Sequence, residues 1–510
     1  MWADIAIGEW DYLRAEETRL LADGNLEEGT DENGIRYVIA VGTEEKPETI
    51  QAERIEDALS TGKEIRLKWV EIKESIVFEG EIKPAAFFRS AIFSGYVSFG
   101  SATFSRADFS NAAFSRADFG SAKFSRADFG SAKFSGKADF SNAAFSRNTD
   151  FSNATFSGDA DFGSAKFSGD ADFSDAKFSG YVSFRYATFS GEADFGSAKF
   201  NRADFLGATF SGKADFRYVT FSGKADFGYA TFSGKADFGY ATFSGKADFG
   251  YAIFKERTNF SNCRFKDLSH FVGCLYPANT KMMNFSSVTG FSQMQFEWEY
   301  NPQWDDEWKT VYGETINNSD RKIRGLRGHL EYDKTFYIAL IKNYQDMGWL
   351  DEADDCYYTY RVEKRKQVNE YNEPLHSWHK RVVEYIVLDF PFGYGVKPFK
   401  LFRSVLLLWI PFGWYYVFFL CHREKGTSPW STAPFTRHEF WGFVWGFLHS
   451  LNVLTPGIDF HSLSDPFLRK SSYRFCGESE VIINAQRLQQ VFGWYLLALF
   501  FILFGKIWIR

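Results

Sequence analysis

Thr455, Gly457 and Asp459 stand at the end of an apolar run, and their positions suggest chemistry with a cation. They belong to the stretch TPGID, which follows fifteen mostly apolar residues that begin at Phe440. Backbone carbonyl oxygens of an irregular segment, and a ring of carboxylates supplied by several copies, both attract cations in channels. The sequence therefore offers Thr455, Gly457 and Asp459 as pore candidates. An ordinary exposed loop aspartate at position 459 is the alternative.

Catalytic and cofactor-binding patterns do not accompany these residues. The sequence has no HExxH, Walker or GxSxG motif, and its eight histidines are scattered without ligand spacing. The five cysteines lack CxxC or zinc-finger spacing, so we expect buried free thiols rather than a metal or disulfide framework. The sequence predicts a protein that is not an enzyme and that has no cofactor or metal.

Two apolar segments on either side of the pore candidates are long enough to cross a membrane. Residues 404–421 are almost entirely apolar. Residues 491–509 contain a single charged residue, Lys506, close to their end. Basic residues precede the first segment and close the second, which places both termini in the cytoplasm by the positive-inside rule. Residues 440–457 break at a Pro-Gly pair, so we expect a re-entrant segment. The prediction is a multi-pass protein of the inner cell membrane, with two buried helices of a soluble domain as the alternative.

A repeat precedes this region and takes up about a third of the sequence. From Phe93 to Phe265, 33 phenylalanines follow one another at intervals of five or six residues. On a helix, rings with this spacing would point about 140° apart, so they would form no apolar stripe. At period two, Ala225-Asp226-Phe227 places a small residue and a ring on one side of a short strand. Glycines in the longer intervals, such as Gly223 and Gly234, are expected to adopt positive φ and absorb the inserted residue.

The runs Ala107-Asp108-Phe109, Ala117-Asp118-Phe119 and Ala203-Asp204-Phe205 resemble the A-(D/N)-(L/F)-x-x motif of the pentapeptide-repeat family. The resemblance implies a right-handed quadrilateral β-solenoid with four units to a coil. The repeat would then make about eight coils and a rod of roughly 40 Å around columns of stacked rings. We expect the repeat aspartates to satisfy turns and neighbouring coils rather than to form an active site.

Soluble members of this family mimic DNA, and such mimicry requires an acidic rod. Here residues 93–265 contain 20 Lys and Arg against 18 Asp and Glu. The rod is nearly neutral, so we expect no DNA mimicry and no nucleic-acid partner.

Some bacterial pentapeptide-repeat proteins resemble the chain more fully, with a helical pair, a GYG-basic-P stretch like residues 393–398, a span, a pore-like segment and a last span. Potassium channels, which share the span-loop-span order, have the filter T-x-G-Y-G-D, whereas residues 455–459 lack the second glycine. A channel would need a homo-oligomer, with a tetramer expected, because one such unit cannot enclose a lumen. The sequence predicts a membrane protein with a cytosolic rod and a channel-like C-terminal region. The alternative is a membrane-anchored scaffold whose solenoid binds an unknown protein partner.

The fold class is mixed: the right-handed quadrilateral β-solenoid is followed by an α-helical hairpin domain and a two-helix transmembrane region with a re-entrant segment. We expect a helix ending near Gly62, a strand from Ile65 to Ile72, and a helical pair of tetratricopeptide type in which Asp351 caps the second helix. Aromatic and acidic residues at 296–308 indicate a packed junction, with a cation or peptide site as the alternative. The predicted boundaries are 1–79 for the lead and cap, 80–270 for the solenoid, 271–328 for the junction, 329–400 for the hairpin and basic juxtamembrane segment, and 401–510 for the membrane region.

Overall fold

The computed structural model describes residues 27–30, 34–83, 85–276, 283–290, 294–298, 326–327 and 329–367, and the single positions 385, 389, 400, 403, 406, 407, 409 and 410. Residues 440–457 and 491–509, with Thr455, Gly457 and Asp459, lie outside the described residues, as does most of 404–421. Within the described part, no helix is both long and apolar enough to cross a membrane. The chain divides into two units, residues 1–356 and 357–510.

The first unit contains a right-handed β-solenoid of about 11 turns. A complete turn consists of four short strands separated by corners, and each strand pairs in parallel with the strand one turn away. Thr149 pairs with Ala127 on one side and with Ala171 on the other, so these turns take 22 residues. The eleven-residue sequence unit is therefore half a turn, and consecutive units lie on opposite sides of the rod.

The strands form four faces, numbered in chain order. Face 1 begins with Glu27–Thr30, which runs antiparallel to its neighbour and covers the sheet edge. Its parallel strands are Arg36–Val41, Glu64–Lys68, Ala86–Arg89, Ala107–Asp108, Ala127–Asp128, Thr149–Asp150, Ala171–Asp172, Ala193–Asp194, Ala214–Asp215, Ala236–Asp237, Thr258–Asn259 and Met283–Asn284. Face 4 consists of Glu81–Ile82, Thr103–Phe104, Lys123–Phe124, Ala144–Phe145, Lys166–Phe167, Thr188–Phe189, Thr209–Phe210, Thr231–Phe232 and Ile253–Phe254.

Faces 2 and 3 share four longer strands that continue around the corner between them: Ile92–Ser98, Ala113–Asp118, Lys177–Ser183 and Lys199–Asp204. The other strands of face 2 are Glu48–Thr49, Val70–Ile72, Lys133–Phe134, Thr155–Phe156, Thr220–Phe221, Thr242–Phe243 and Arg264–Phe265. The other strands of face 3 are Ile76–Val77, Ala138–Asp139, Ala160–Asp161, Ala225–Asp226, Ala247–Asp248, Ser269–Phe271 and Met294–Phe296.

The core consists of the repeat phenylalanines, as predicted. All 33 rings between Phe93 and Phe265 point inward and are at most 3% exposed. They stack in one column per face; the centroids of Phe129 and Phe151, for example, are 4.8 Å apart. The columns of faces 1 and 3 meet edge to face along the axis, as Phe140 and Phe151 do at 5.3 Å. Burial of one such ring is worth roughly 1.5–3 kcal/mol, which offsets the cost of ordering a segment rich in glycine and serine.

The stack is longer than the eight coils that the phenylalanine repeat accounts for, because other apolar residues continue its columns. On face 1, Ala40 and Leu67 occupy the ring position before Phe88, and all three are buried. At the other end, the rings of Phe271 and Phe296 stack at 4.9 Å beyond the last regular repeat. The five- or six-residue spacing of phenylalanine therefore underestimates the length of the rod.

The first turn is closed by a helix, α1 (Ala52–Ser60), which follows its face-2 strand and precedes the next face-1 strand. The helix ends at the predicted place, where Gly62 adopts a φ of 67°. The strand predicted from Ile65 to Ile72 is two strands on faces 1 and 2, because Trp69 lies at the corner between them with a φ of 52°.

The other end is closed by α2 (Lys334–Asp346), whose N-cap Asp333 accepts the amide of Phe336 at 2.7 Å. The Phe336 ring stacks on Phe285 at 4.8 Å, and the buried Trp298 indole donates to Asp355 at 2.9 Å. Residues 296–298 are thus part of a packed junction, while most of the segment that follows lies outside the described residues.

The second helix of the pair, α3 (Leu350–Gln367), shows that the N-cap prediction for Asp351 was wrong. Because the amide of Ala353 already donates to the carbonyl of Trp349, the helix begins earlier and Asp351 lies in its first turn. A carboxylate there still interacts favourably with the helix dipole.

The corner glycines of the longer intervals overturn a second prediction, since neither Gly223 nor Gly234 has a positive φ. A Cβ on Gly234 would instead lie 2.3 Å from the carbonyl oxygen of Gly212 in the preceding turn. Glycine is required here because two backbones come close together. Positive φ occurs at the corners that follow faces 1 and 3, where serine, asparagine and tyrosine are common.

Candidate interaction surface

The in-register stacking of turns arranges the outward side chains of each face in columns along the rod. On face 1, seven aspartates succeed one another, one per turn: Asp108, Asp128, Asp150, Asp172, Asp194, Asp215 and Asp237. Face 3 has a similar column interrupted by Ser183: Asp118, Asp139, Asp161, Asp204, Asp226 and Asp248.

The aspartates stabilise the corner that follows each strand, as the sequence analysis expected. Asp128 Oδ1, for example, accepts the amide of Gly130 at 2.8 Å. The same bond to the amide two residues later recurs at Asp161 and Asp226. An Asx turn of this kind fixes the backbone locally and explains why aspartate recurs in the motif.

The stacked aspartates of face 1 differ in pKa. Burial, together with the charges of Asp108 and Asp150, raises the pKa of Asp128 to about 7. Burial also raises the pKa of Asp172 and that of Asp194. Asp128, Asp172 and Asp194 therefore take up a proton at a higher pH than an isolated aspartate does.

Two aspartates nearer the C-terminal end have salt bridges and behave differently. Burial would raise the pKa of Asp215, but hydrogen bonds from Arg217 and Lys213 outweigh it and lower the pKa. On face 3, hydrogen bonds from His270 and from the Gly250 amide overcome burial and bring the pKa of Asp248 to about 2.

Faces 2 and 4 carry basic and hydroxyl side chains in place of carboxylates. The outward column of face 2 is Lys133, Thr155, Lys177, Lys199, Thr220, Thr242 and Arg264. The corresponding part of face 4 is Thr103, Lys123, Ala144, Lys166, Thr188, Thr209 and Thr231. The outward columns thus differ in character from face to face, but only six of the 20 Lys and Arg between residues 93 and 265 belong to the columns of faces 2 and 4. Others lie at corners and pair with the aspartates, as Lys137 does with Asp139 and Arg217 with Asp215.

This segregation of charge was missed by the sequence analysis, which added the charges along the chain. The signal is present in the alternation of Ala-Asp-Phe units with Ala-Lys-Phe or Ala-Thr-Phe units. It becomes readable only when a turn is known to take four units, since units of one kind then stack on one another.

Tyrosines occupy several of the left-handed corners in the C-terminal half of the rod. Tyr218 and Tyr240, with φ of 60° and 62°, lie between faces 1 and 2 and stack at 5.1 Å. Their side chains are 56% and 53% exposed. A bulky residue held in this region of φ costs on the order of 1 kcal/mol, and ring stacking returns about 0.5–1.5 kcal/mol. A similar pair, Tyr229 and Tyr251, lies between faces 3 and 4 at 5.0 Å and is more buried.

An ionic cluster in the second unit lies just before the first predicted span. Asp389 is 2% exposed and accepts from Lys400 Nζ at 2.6 Å, Arg365 Nη2 at 2.8 Å and the Tyr358 hydroxyl at 3.0 Å. Burial opposes ionisation, but the hydrogen bonds from Lys400 and Arg365 lower the pKa of Asp389. The cluster fixes the C-terminal part of α3 to Lys400, four residues before the segment that begins at 404. Lys400 is one of the basic residues that precede the first apolar segment, whereas no pattern in the sequence indicates Asp389.

The cysteines that the structure describes are free and buried, as expected: Cys263, Cys274 and Cys356. Burial raises the pKa of the Cys274 thiol to about 12. Within the described residues, no group of His, Cys, Asp or Glu could hold a metal ion. The pore candidates Thr455, Gly457 and Asp459 are outside this part of the chain.

Comparison with known proteins identifies the repeat. The family described as "Pentapeptide repeats (9 copies)" matches residues 129–177, 173–220, 205–253, 216–264 and 227–275, and "Pentapeptide repeats (8 copies)" matches residues 98–136. No curated protein matches the chain.

Two solved structures of QnrB1, a plasmid-mediated fluoroquinolone resistance protein, are similar to part of the chain. A trypsin-treated variant has 17% identity and a TM-score of 0.16, with 48% of this chain and 97% of that chain covered. The full-length protein has 14% identity and a TM-score of 0.15, with 47% and 98% covered. The family matches run without a gap from residue 98 to residue 275, about a third of the chain, so this part of the rod is similar to the pentapeptide repeats of that family.

Proposed function

We propose that this protein is a membrane-anchored scaffold whose β-solenoid binds a protein partner. The observation that carries the proposal is the separation of side chains by face, with carboxylates on faces 1 and 3 and basic and hydroxyl groups on faces 2 and 4. The interior of the repeat is filled by phenylalanine rings, so the rod offers its surface to other molecules. A rigid surface with regular columns presents the same chemistry over many turns, which suits an extended partner.

The anchor is the C-terminal region with its apolar segments at 404–421 and 491–509. Their length, the basic residues before the first and after the second, and the Asp389 cluster beside Lys400 support this part of the proposal. We place the protein in the inner cell membrane with both termini in the cytoplasm. Reporter fusions at residue 510 and within residues 422–437 test this topology, and an external C-terminus would rule out the hairpin.

Photo-crosslinking tests the scaffold. A photoreactive phenylalanine analogue is introduced in turn at Thr220 on face 2 and at Thr209 on face 4, in the full chain expressed in its native cells. The buried Val219, which is 0% exposed, provides the matched inward control. The proposal expects a protein adduct of defined mass at one or more outward positions and none at Val219. Failure to form an adduct at any outward position, in a chain that folds and reaches the membrane, contradicts it.

A channel-like oligomer is the second candidate, because the segments 404–421, 440–457 and 491–509 follow the span-loop-span order of a cation-channel pore. Thr455, Gly457 and Asp459 would then line the mouth, and several copies would be required. Mass measurement in detergent and ion flux after reconstitution test this, with wild type beside Asp459→Asn. A tetramer whose conductance or cation preference falls on neutralisation supports the channel. A monomer that passes no current eliminates it.

A further inference from the structure

We infer that face 2, together with the Tyr218–Tyr240 pair at its edge, is a docking surface for an extended protein segment rich in Asp and Glu. The inference rests on the proposed scaffold function and adds to it the face that binds and the chemistry of the partner. Three features of the rod support it: an unneutralised basic column, exposed aromatic rings beside that column, and the difference between faces 2 and 4.

The outward column of face 2 contains no acidic side chain from Lys133 to Arg264, and the carboxylate nearest to it along the chain is Asp175, at the corner two residues before Lys177. Lys133, Lys177, Lys199 and Arg264 are exposed, and their side chains make no ion pair or hydrogen bond with a described residue. Lys177 and Lys199 are register partners in adjacent turns, which places their Cα atoms about 4.8 Å apart. From Lys133 to Lys266, the outward positions of this face are Lys, Thr, Arg, Ser and Asn. Ammonium groups on adjacent side chains repel each other, and a carboxylate bound between them would relieve the repulsion.

The tyrosine pair adds an apolar contact at the edge of the column. Tyr218 and Tyr240 each precede a threonine of face 2 by two residues, so their rings flank the column directly. Equivalent corners of earlier turns use Ser131 and Ser197, which shows that the left-handed corner itself does not need an aromatic ring. Exposed tyrosines have few rotatable bonds and combine a large apolar surface with a polar tip, the properties that make them common in binding surfaces.

A protein segment fits this surface better than a nucleic acid. The two rings stack on each other at 5.1 Å, which leaves no gap in which a base could insert between them. Threonine and serine hydroxyls along face 2 can instead hydrogen-bond to the backbone of an extended peptide.

Face 4 provides an internal comparison. It has the same architecture, but its two lysines in the corresponding turns, Lys123 and Lys166, are separated by Ala144. An acidic segment on face 4 therefore meets single cations, whereas on face 2 it meets an adjacent pair. Reversing two lysines on either face changes the net charge of the protein by the same amount, so the two double variants form a matched pair.

The test measures binding of labelled probes to the full-length protein in detergent by fluorescence anisotropy. The probes are a fifteen-residue peptide of alternating Glu and Leu, the same peptide with Lys in place of Glu, and a fifteen-nucleotide oligo(dT). We expect the acidic peptide to bind, and Lys177→Glu with Lys199→Glu to weaken it about tenfold, with Lys123→Glu and Lys166→Glu changing it less than about threefold. Tyr218→Ser with Tyr240→Ser should weaken binding several-fold and leave the thermal transition in place. The milder pair Lys177→Gln and Lys199→Gln repeats the test where charge reversal disturbs folding.

Three results would overturn the inference. Equal losses of affinity in the face 2 and face 4 charge-reversal variants would mean that the peptide responds to the net charge of the protein and not to one face. Tighter binding of oligo(dT) than of the acidic peptide would assign the surface to a nucleic acid. Failure of the acidic peptide to bind at low salt would remove the basis for an acidic partner. In each of these cases, the scaffold proposal would still be supported if the photo-crosslinking experiment gave protein adducts at a position on a face other than face 2.

Discussion

Gly234→Ala tests the reason for the corner glycines. Because Gly234 has no positive φ, alanine would ordinarily stabilise the protein by about 0.4–1 kcal/mol through the unfolded state. Its Cβ would, however, lie 2.3 Å from the oxygen and 2.6 Å from the carbon of the Gly212 carbonyl. Relieving this contact requires a separation of roughly 1 Å between turns, and overpacking of this kind costs about 1–3 kcal/mol.

The two turns cannot separate easily, because backbone hydrogen bonds join them on both sides of the corner. Ser233 donates to the carbonyl of Phe210, and Ala214 donates to the carbonyl of Lys235, each at 2.8 Å. We therefore expect Gly234→Ala to lower the thermal transition and to speed hydrogen exchange in peptides that span residues 210–237. Mass spectrometry of exchanged, digested protein measures both turns separately.

Gly228→Ala is the matched control in the same repeat. The nearest atoms to its Cβ are side-chain atoms, Asp226 Oδ1 at 3.1 Å and Leu206 Cδ1 at 3.4 Å. Equivalent positions in other turns carry Arg185 and Leu206, so a side chain is accommodated there. We expect a neutral or slightly stabilising effect. If Gly234→Ala is as stable as the wild type, or if both variants lose the same amount of stability, the close approach of the backbones is not the reason for glycine at this position.

Three further substitutions test the core and the aspartate columns. Phe227→Ala should destabilise the rod by about 3–5 kcal/mol, because its ring stacks on Phe205 and Phe249 at 4.8 and 4.9 Å; an unchanged thermal transition would contradict the inward column. Asp128→Asn should raise the transition temperature at pH 8 and have little effect at pH 4. The pKa of Asp128 is about 7 in the folded protein, so ionisation of this carboxyl group destabilises the fold as the pH rises from 4 to above 7. Asp248→Asn should lower the transition temperature at pH 7. The pKa of Asp248 is about 2 in the folded protein, so its carboxylate stabilises the fold until the pH falls through 4 towards 2. Equal pH profiles for the two variants would refute the contrast between Asp128 and Asp248.

The interior of the rod could be predicted from the sequence because the rule behind it is local. A ring recurs every five or six residues, and a small residue stands two positions before each ring. Of the regular structures, only short strands place all of these rings on the inner side. The same rule fails at the ends, where Ala40 and Leu67 continue a column without any regular spacing. The burial of each of these residues depends on the turn next to it, which no local pattern reports.

The candidate surface could not be predicted because it depends on which units stack. Lys177 and Lys199 are far apart in sequence and adjacent in space, and a turn of 22 residues is needed to know this. The corner glycines show the same limit, since the neighbour that excludes a side chain at Gly234 is Gly212. The Asp389 cluster likewise joins residues of α3 to Asp389 and Lys400, a contact that no sequence pattern predicts.

Disulfide cross-linking tests most directly the turn of 22 residues on which the four faces and the proposed surface depend. Thr220→Cys and Thr242→Cys are register partners on face 2, with Cα atoms about 4.8 Å apart, inside the range that a disulfide bridges. Thr220→Cys and Thr231→Cys are eleven residues apart and lie on faces 2 and 4, on opposite sides of the core. With Cys421 and Cys476 replaced by serine, mild oxidation followed by peptide mass spectrometry should show a complete 220–242 bridge and no 220–231 bridge. A bridge between 220 and 231, or none between 220 and 242 in the folded protein, would contradict the account.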